Sequence, residues 1–225
     1  MIASSVLMTT FVSCIVAFLL CGVPFGLIIA SIAGHVDIRS VGSGNIGTTN
    51  VGREVGKGAA AATLLCDAGK GFVATLLASW LIGTYGAGGA TAMVQPTGAW
   101  GWTLATVYLC CICGHVFSPF LGFHGGKGIA VGFGAALGFM WPVAIGMLVV
   151  FLLVALPTRY VSLASVSAAF SLPLLGLFVY HPEPSFLVPL AVVACIVIWA
   201  HRSNIRKLRN HEEKRFSFHH DTQEA

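Results

Sequence analysis

Charged residues make up only 9% of the 225-residue chain and hydrophobic residues 56%, with a formal net charge of +4. A soluble domain averages roughly 25% charged residues, so a water-facing surface cannot be covered here and an ordinary soluble domain is excluded. Most residues must face lipid or one another in one compact membrane domain, and no stretch is long enough for a second, soluble one. The seven cysteines, Cys14, Cys21, Cys66, Cys110, Cys111, Cys113 and Cys195, all lie in apolar runs. An odd count in such runs argues against a disulfide framework. Cys111, Cys113 and His115 superficially suggest a metal site, but no second ligand pair stands at zinc-like spacing, so they read as packing.

The composition and its interruptions predict an all-α, polytopic helix bundle, because only helices satisfy their own backbone polar groups in an open membrane segment. The N-terminus has no basic side chain before its apolar run, and that run is longer than a signal peptide's apolar core, so it reads as retained. Expected spans run from about Phe11 to Ile32, Gly58 to Ile82, Gly101 to Phe117, Val161 to Tyr180 and Ser185 to Ala200. Between Ile129 and Leu156 the chain is apolar throughout and interrupted by Trp141-Pro142. As a single helix this stretch would exceed ~40 Å. As two helices, proline suits the first turn of the second.

Charge decides between the two. With two helices there are seven spans, and Arg39, Arg53, Lys57, Lys127, Arg159 and the tail cations Arg202, Arg206, Lys207, Arg209, Lys214 and Arg215 share one side. The opposite loops, 83–100, 139–141 and 181–184, contain no lysine or arginine. Merging the helices would send Arg159 and the basic tail outside, against the positive-inside rule. The expected arrangement is seven transmembrane helices, N-terminus outside and C-terminus cytosolic. Residues 1–205 form the membrane domain and 206–225 a basic, polar tail attracted to anionic lipid.

The first expected cytosolic loop, Gly42-Ser43-Gly44-Asn45-Ile46-Gly47-Thr48-Thr49-Asn50-Val51-Gly52-Arg53, is dense in glycine, hydroxyl and amide groups and ends in a guanidinium. Glycines let backbone N–H groups approach an anion, and arginine offers a fork matched to phosphate oxygens. Gly42, Gly44 and Gly47 satisfy G-x-G-x-x-G, but no strand precedes them and the dinucleotide reading fails on context. A flexible connector is the alternative. A later segment, Gly114-His115-Val116-Phe117-Ser118-Pro119-Phe120-Leu121-Gly122-Phe123-His124-Gly125-Gly126-Lys127-Gly128, puts a Gly-Gly-Lys-Gly turn before a helix. Free N–H groups, a positive dipole end and an ammonium then meet at one point, the ingredients of a phosphate site. No Ser or Thr follows the lysine, so it is not a Walker A loop.

Asp67 and Lys70, three residues apart within the second span, read as a neutralising pair or as an orienter of a neighbouring loop. His201 and Asn204 are spaced to share a helix face at the last membrane exit. Two phosphate-type loops at one end of a small bundle indicate two phosphorylated ligands, or one carrying two phosphates.

Taken in order, Ser43-Gly44-Asn45-x-Gly47-x-Thr49-Asn50-x-x-Arg53, Asp67-x-x-Lys70-Gly71, Gly114-His115-x-x-x-Pro119 through Gly125-Gly126-Lys127-Gly128, and His201-Arg202-x-Asn204-Ile205 resemble the bacterial acyl-phosphate:glycerol-3-phosphate acyltransferase family. Each motif alone is weak; four in order across nearly the whole chain are specific. The resemblance implies a seven-helix enzyme of the bacterial cytoplasmic membrane with its site at the cytosolic face. Such an enzyme moves an acyl chain from acyl phosphate to the 1-hydroxyl of glycerol 3-phosphate, giving lysophosphatidic acid and phosphate for phospholipid synthesis.

By position, the resemblance assigns Ser43, Arg53, Lys127, His201 and Asn204 to the polar pocket, with Lys127, His201 and Ser43 nearest the chemistry. Gly44, Asn45, Thr49 and Asn50 shape the first loop, Gly125, Gly126 and Gly128 the second, and Asp67, Lys70 and His115 support them. No metal or organic cofactor and no nucleic acid is implied; a soluble enzyme making acyl phosphate is the expected supplier. Where the family usually has further lysines before Gly-Gly-Lys-Gly, this chain has Gly122 and His124. No histidine has an aspartate five residues on, so the familiar His-x4-Asp acyltransferase pair is absent. The competing reading is a transporter for a phosphorylated organic anion, against which the polar groups sit to one side rather than at the midplane and no inverted repeat is apparent. A structural membrane subunit would leave all four motifs unexplained.

Overall fold

The structure, a computed structural model, describes residues 2–86, 101–181 and 183–216. Most of the predicted loop 83–100, Pro182 of the 181–184 loop and the end of the predicted tail therefore lie outside the described residues. Those described form helices α1 (Ile2–Gly22), α2 (Phe25–Gly34), α3 (Thr48–Glu54), α4 (Lys57–Leu81), α5 (Gly101–Val116), α6 (Ile129–Phe139), α7 (Trp141–Thr158), α8 (Val161–Tyr180), α9 (Pro184–Ala200) and α10 (Arg202–Arg209), with no strand among them. A π-helical turn, Ile82–Gly86, extends α4.

Five segments are long and apolar enough to cross a membrane: Ser5–Gly34, Lys57–Gly86, Gly101–Leu121, Trp141–Thr158 and Val161–Tyr180. The pair α9–α10, bent by 58°, makes a sixth. Outward faces carry large apolar side chains, among them Leu65, Leu153 and Phe178, each about 70% exposed; in water these would form adhesive patches, and in lipid they are solvated. All seven cysteines are free, and Cys21 and Cys111 are buried in the core.

The apolar run 129–156 is broken where the sequence reading places the break. α6 ends at Phe139, Met140 leaves helical geometry with φ −137° and ψ 52°, and Pro142 stands in the first turn of α7. α6 has 11 residues, so at ~1.5 Å per residue it reaches about half of a ~30 Å hydrocarbon core. The first span differs from the expected Phe11–Ile32. α1 stops at Gly22, and α2 restarts after Pro24, which has no N–H to continue the ladder. The carbonyls this releases are taken by side chains from other helices: the Ser118 hydroxyl donates to Gly22 O at 2.6 Å and the Lys70 ammonium to Val23 O at 2.7 Å.

α4 runs along α6, and α1 along α5. The α4–α6 seam is made by small residues: a Cβ added at Gly134 would fall on the Ala68 carbonyl, and one at Gly71 on that of Val131. Backbones can come this close only where side chains are missing, and the reward in lipid is dispersion and interhelical hydrogen bonding. Thr75 Oγ1 donates across the seam to Ala135 O at 3.1 Å. Because α6 is drawn against α4, the Lys127 turn that precedes it is held beside the middle of α4.

This seam yields a paired prediction. Gly134→Ala should lower stability by about 1–3 kcal/mol through overpacking, read as a fall in thermal midpoint in detergent. Gly69→Ala, whose new methyl would meet nothing within 4 Å, should leave the midpoint unchanged or raise it slightly. Equal behaviour of the two would contradict the packing described.

Candidate active site

A cavity of about 600 Å³ opens where the first loop with α3, the turn before α6, and the α9–α10 junction converge. Its polar end is lined by Ser43, Asn45, Thr49, Asn50 and Arg53, by Lys127 and Gly128, and by His201 and Asn204. Asp67 and His115 reach it from α4 and α5. Its other end is apolar: Leu64 and Leu65 from α4, Phe133 from α6, and Met147, Leu148 and Phe151 from α7. One space thus joins a polar, charged region, in which Arg53 and Lys127 stand among carboxylates that include Glu54 and Glu213, to a greasy groove.

The first loop is an internally bonded scaffold. The Asn50 side chain accepts from Ser43 N (2.9 Å) and donates to Ile38 O and Val41 O (3.2 Å each). Asn50 therefore shapes the loop, with both amide hydrogens and one Oδ1 lone pair engaged in doing so. Asn45 Oδ1 accepts from Gly47 N at 2.9 Å, a local turn that leads into α3. Gly44 lies outside the cavity wall, at φ +68°, a conformation that suits glycine. Ser43, Thr49 and Arg53 are exposed and face the cavity.

The second loop is stapled to the end of α5. Gly125 N donates to Val116 O at 3.0 Å and Gly126 N to His115 O at 3.1 Å. Gly125 and Gly126 form the back of the turn, while Lys127 and Gly128 face the cavity. Burial pushes the Lys127 pKa below its ordinary value; the nearby Glu213 carboxylate opposes that, and Arg53 and Lys207 add to it. Behind the turn sits a buried cluster. Lys70 Nζ lies 2.8 Å from Asp67 Oδ1 and 3.1 Å from His115 Nδ1. Lys70 itself does not line the cavity.

His201 is buried, 2% exposed, and its Nδ1 lies 2.8 Å from Val197 O. A carbonyl only accepts, so Nδ1 carries the proton and Nε2 is left as a bare acceptor. Burial, reinforced by Lys127 and opposed by the Val197 carbonyl and Glu213, pushes its pKa down to about 4. Asn204 Nδ2 donates to Glu213 Oε1 at 2.8 Å. That contact exists because the chain turns back after α10: Phe216 N donates to Arg159 O at 2.8 Å, and Arg215 Nε to the Tyr160 hydroxyl at 3.2 Å. Lys207, Glu212, Glu213 and Lys214 consequently line the cavity, although the sequence reading places them in a solvated tail.

Ser162 and Ser165 of α8 also line the cavity, and the Ser162 hydroxyl is buried without a hydrogen-bond partner. Sequence reasoning passed over both, since serines inside an apolar helix commonly bond their own backbone; their i, i+3 spacing is the one available signal.

The glycerol-3-phosphate acyltransferase family model matches residues 11–211. A glycerol-3-phosphate acyltransferase of Rhodopseudomonas palustris (strain BisB5) is 43% identical over 202 residues, 89% of this chain and 93% of the relative. One from Bradyrhizobium diazoefficiens is 40% identical over 204 residues, 91% and 93% respectively. The crystal structure of PlsY, an integral membrane glycerol 3-phosphate acyltransferase, in its glycerol 3-phosphate form superposes with a TM-score of 0.77 at 36% identity, covering 92% of this chain and 96% of that one. A second structure of PlsY, its lysophosphatidic acid form, gives a TM-score of 0.75 at 35% identity. With four motifs lining or backing one cavity and relatives aligned along most of its length, this chain belongs to the glycerol-3-phosphate acyltransferase family.

Proposed function

We propose that this protein transfers a fatty acyl group from acyl phosphate to the 1-hydroxyl of glycerol 3-phosphate, releasing lysophosphatidic acid and phosphate. The observation that carries this reading is one cavity that joins a polar end, where Arg53 and Lys127 face the space, to an apolar groove. That shape suits a donor with a phosphate head and a hydrocarbon tail beside a small anionic acceptor. The family's glycerol-3-phosphate acyltransferase activity and the two PlsY forms point the same way. A transporter reading has no such support.

A mixed anhydride is already activated, so the protein has chiefly to position the reactants and stabilise charge. Arg53, with Ser43 and Asn204, holds the acceptor phosphate. The Lys127 ammonium and the Lys127 and Gly128 amides, the Gly125 and Gly126 amides being bonded to α5, stabilise the oxyanion that forms when the hydroxyl oxygen attacks the acyl carbon. As the carbon–oxygen bond to phosphate breaks, the hydroxyl proton passes to phosphate. A base with a pKa near 4 is poorly matched to remove a hydroxyl proton at neutral pH, so His201 orients the acceptor and does not act as the base. Asn50 and the glycines act as scaffold.

Seven crossings, counting the short α6 as one, with the C-terminus in the cytosol remain the reading of the charge pattern. It sets the polar end at the cytosolic face of a bacterial membrane, where a soluble enzyme would deliver acyl phosphate.

Purified protein given palmitoyl phosphate should release phosphate only when glycerol 3-phosphate is present, and Lys127→Ala should lower kcat by roughly 10²–10³-fold, as for loss of an oxyanion donor. Full activity in a folded Lys127→Ala variant would remove that role. For His201, the folded pKa of about 4 lies below the unfolded value of about 6.5. Its contribution to stability is thus fully present above ~6.5 and is lost as pH falls toward 4. The thermal midpoint of wild type should drop relative to His201→Gln across that window; a constant difference would contradict a buried, neutral His201.

A further inference from the structure

The chemistry proposed above leaves several buried, cavity-lining side chains without a task, and the one at the back of the glycine turn is a histidine. His115, in the last turn of α5, is 5% exposed at its side chain and borders the cavity. Its Nδ1 lies 3.1 Å from Lys70 Nζ. An ammonium has three hydrogens and no lone pair. Lys70 donates to Val23 O at 2.7 Å and is ion-paired with Asp67, whose Oδ1 lies 2.8 Å away, so toward His115 Nδ1 it can only donate. Nδ1 therefore presents a lone pair, and the proton of the neutral ring is on Nε2.

That nitrogen lies at the back of the glycine turn. A Cβ added at Gly126 would collide with His115 Nε2, and the Gly126 amide is itself bonded to the His115 carbonyl. Among the described residues no protein acceptor takes up Nε2. The ring is thus fixed at one edge by Lys70, pressed by Gly126 at the other, and open only to the cavity that Lys127 and Gly128 also line. The same lock explains why position 126 must be glycine: any side chain would displace the imidazole edge or the turn.

We propose that the His115 Nε2–H group is a hydrogen-bond donor to a phosphoryl oxygen bound at the Gly125–Gly128 turn, with its tautomer set by Lys70. It rests on the acyl-phosphate reading for the identity of that phosphoryl group. A neutral donor suits the position, because it adds a hydrogen bond to the anion without placing a second cation beside the Lys70 ammonium in a dry site.

The test combines kinetics of two variants with spectroscopy of the wild type. His115→Phe keeps the bulk and removes the donor; His115→Gln carries an amide donor of similar reach. kcat/KM for palmitoyl phosphate should fall roughly 10- to 100-fold in the Phe variant, the range of a hydrogen bond to a charged group, and recover partly in the Gln variant. A purely structural role would instead depress both in step with their thermal midpoints. In ¹⁵N-histidine-labelled wild type, His115 should show Nε2–H with an unprotonated Nδ1, and the Nε2 signal should move when inorganic phosphate is added. This readout decides the matter even where a variant fails to fold. A His115 Nδ1–H tautomer, or an Nε2 signal indifferent to phosphate together with an unchanged Phe variant, overturns the proposal. Absence of acyl-phosphate turnover in wild type would overturn the functional reading instead, and the spectra would still report on His115.

Discussion

The Lys70 ammonium is the junction on which the site is hung. It is joined by hydrogen bonds to the freed end of α1 (Val23 O) and the last turn of α5 (His115), and by an ion pair to the carboxylate of its own helix (Asp67). From that last turn, the His115 and Val116 carbonyls hold Gly126 and Gly125, and the next residue is Lys127. Breaking a buried ion pair from one side costs about 3–5 kcal/mol, because the partner charge is left unpaired. That magnitude explains why a lysine is tolerated inside an apolar span, where an unpaired charge would be expelled.

The cavity's double character follows from how the helices are spaced. Small residues draw α4 and α6 together, and α6 is too short to cross by itself, so the turn before it lies beside the middle of α4. α7 packs chiefly on α8 and α6. The gap between α4 and α7, floored by Phe133, becomes the apolar groove, and the loops at its mouth supply the polar end. Lys127 and Arg53 face the same space, which raises the electrostatic cost of leaving it empty of anions and makes it receptive to phosphate.

Much of this is legible in the sequence because membrane interiors are chemically monotonous. Against so apolar a background, Asp67, Lys70, Lys127 and the glycine-rich loops stand out, and Trp141-Pro142 marks a helix start. What escapes is what depends on the path of the chain. The return of residues 210–216 onto Tyr160 and Arg159 brings Glu213 to Asn204, and nothing in a short basic run announces a reversal. Pro24 is visible, but the break it causes in the first span becomes intelligible only with Lys70 and Ser118 as caps from helices distant in sequence. Asn50 looks like a ligand group by type, and its amide hydrogens and one oxygen lone pair are bonded to loop backbone. Ser162, by contrast, looks like helix filler and is left without a partner at the cavity wall.

Acyl transfer requires attack at the acyl carbon and not at phosphorus, and the path of the bridging oxygen decides between them. Palmitoyl phosphate carrying ¹⁸O in the carbon–oxygen–phosphorus bridge should, on turnover with glycerol 3-phosphate, release phosphate that retains the label, alongside unlabelled lysophosphatidic acid. Label in free palmitate with a second phosphate on the glycerol would mean phosphoryl transfer, and would contradict the roles given to both loops.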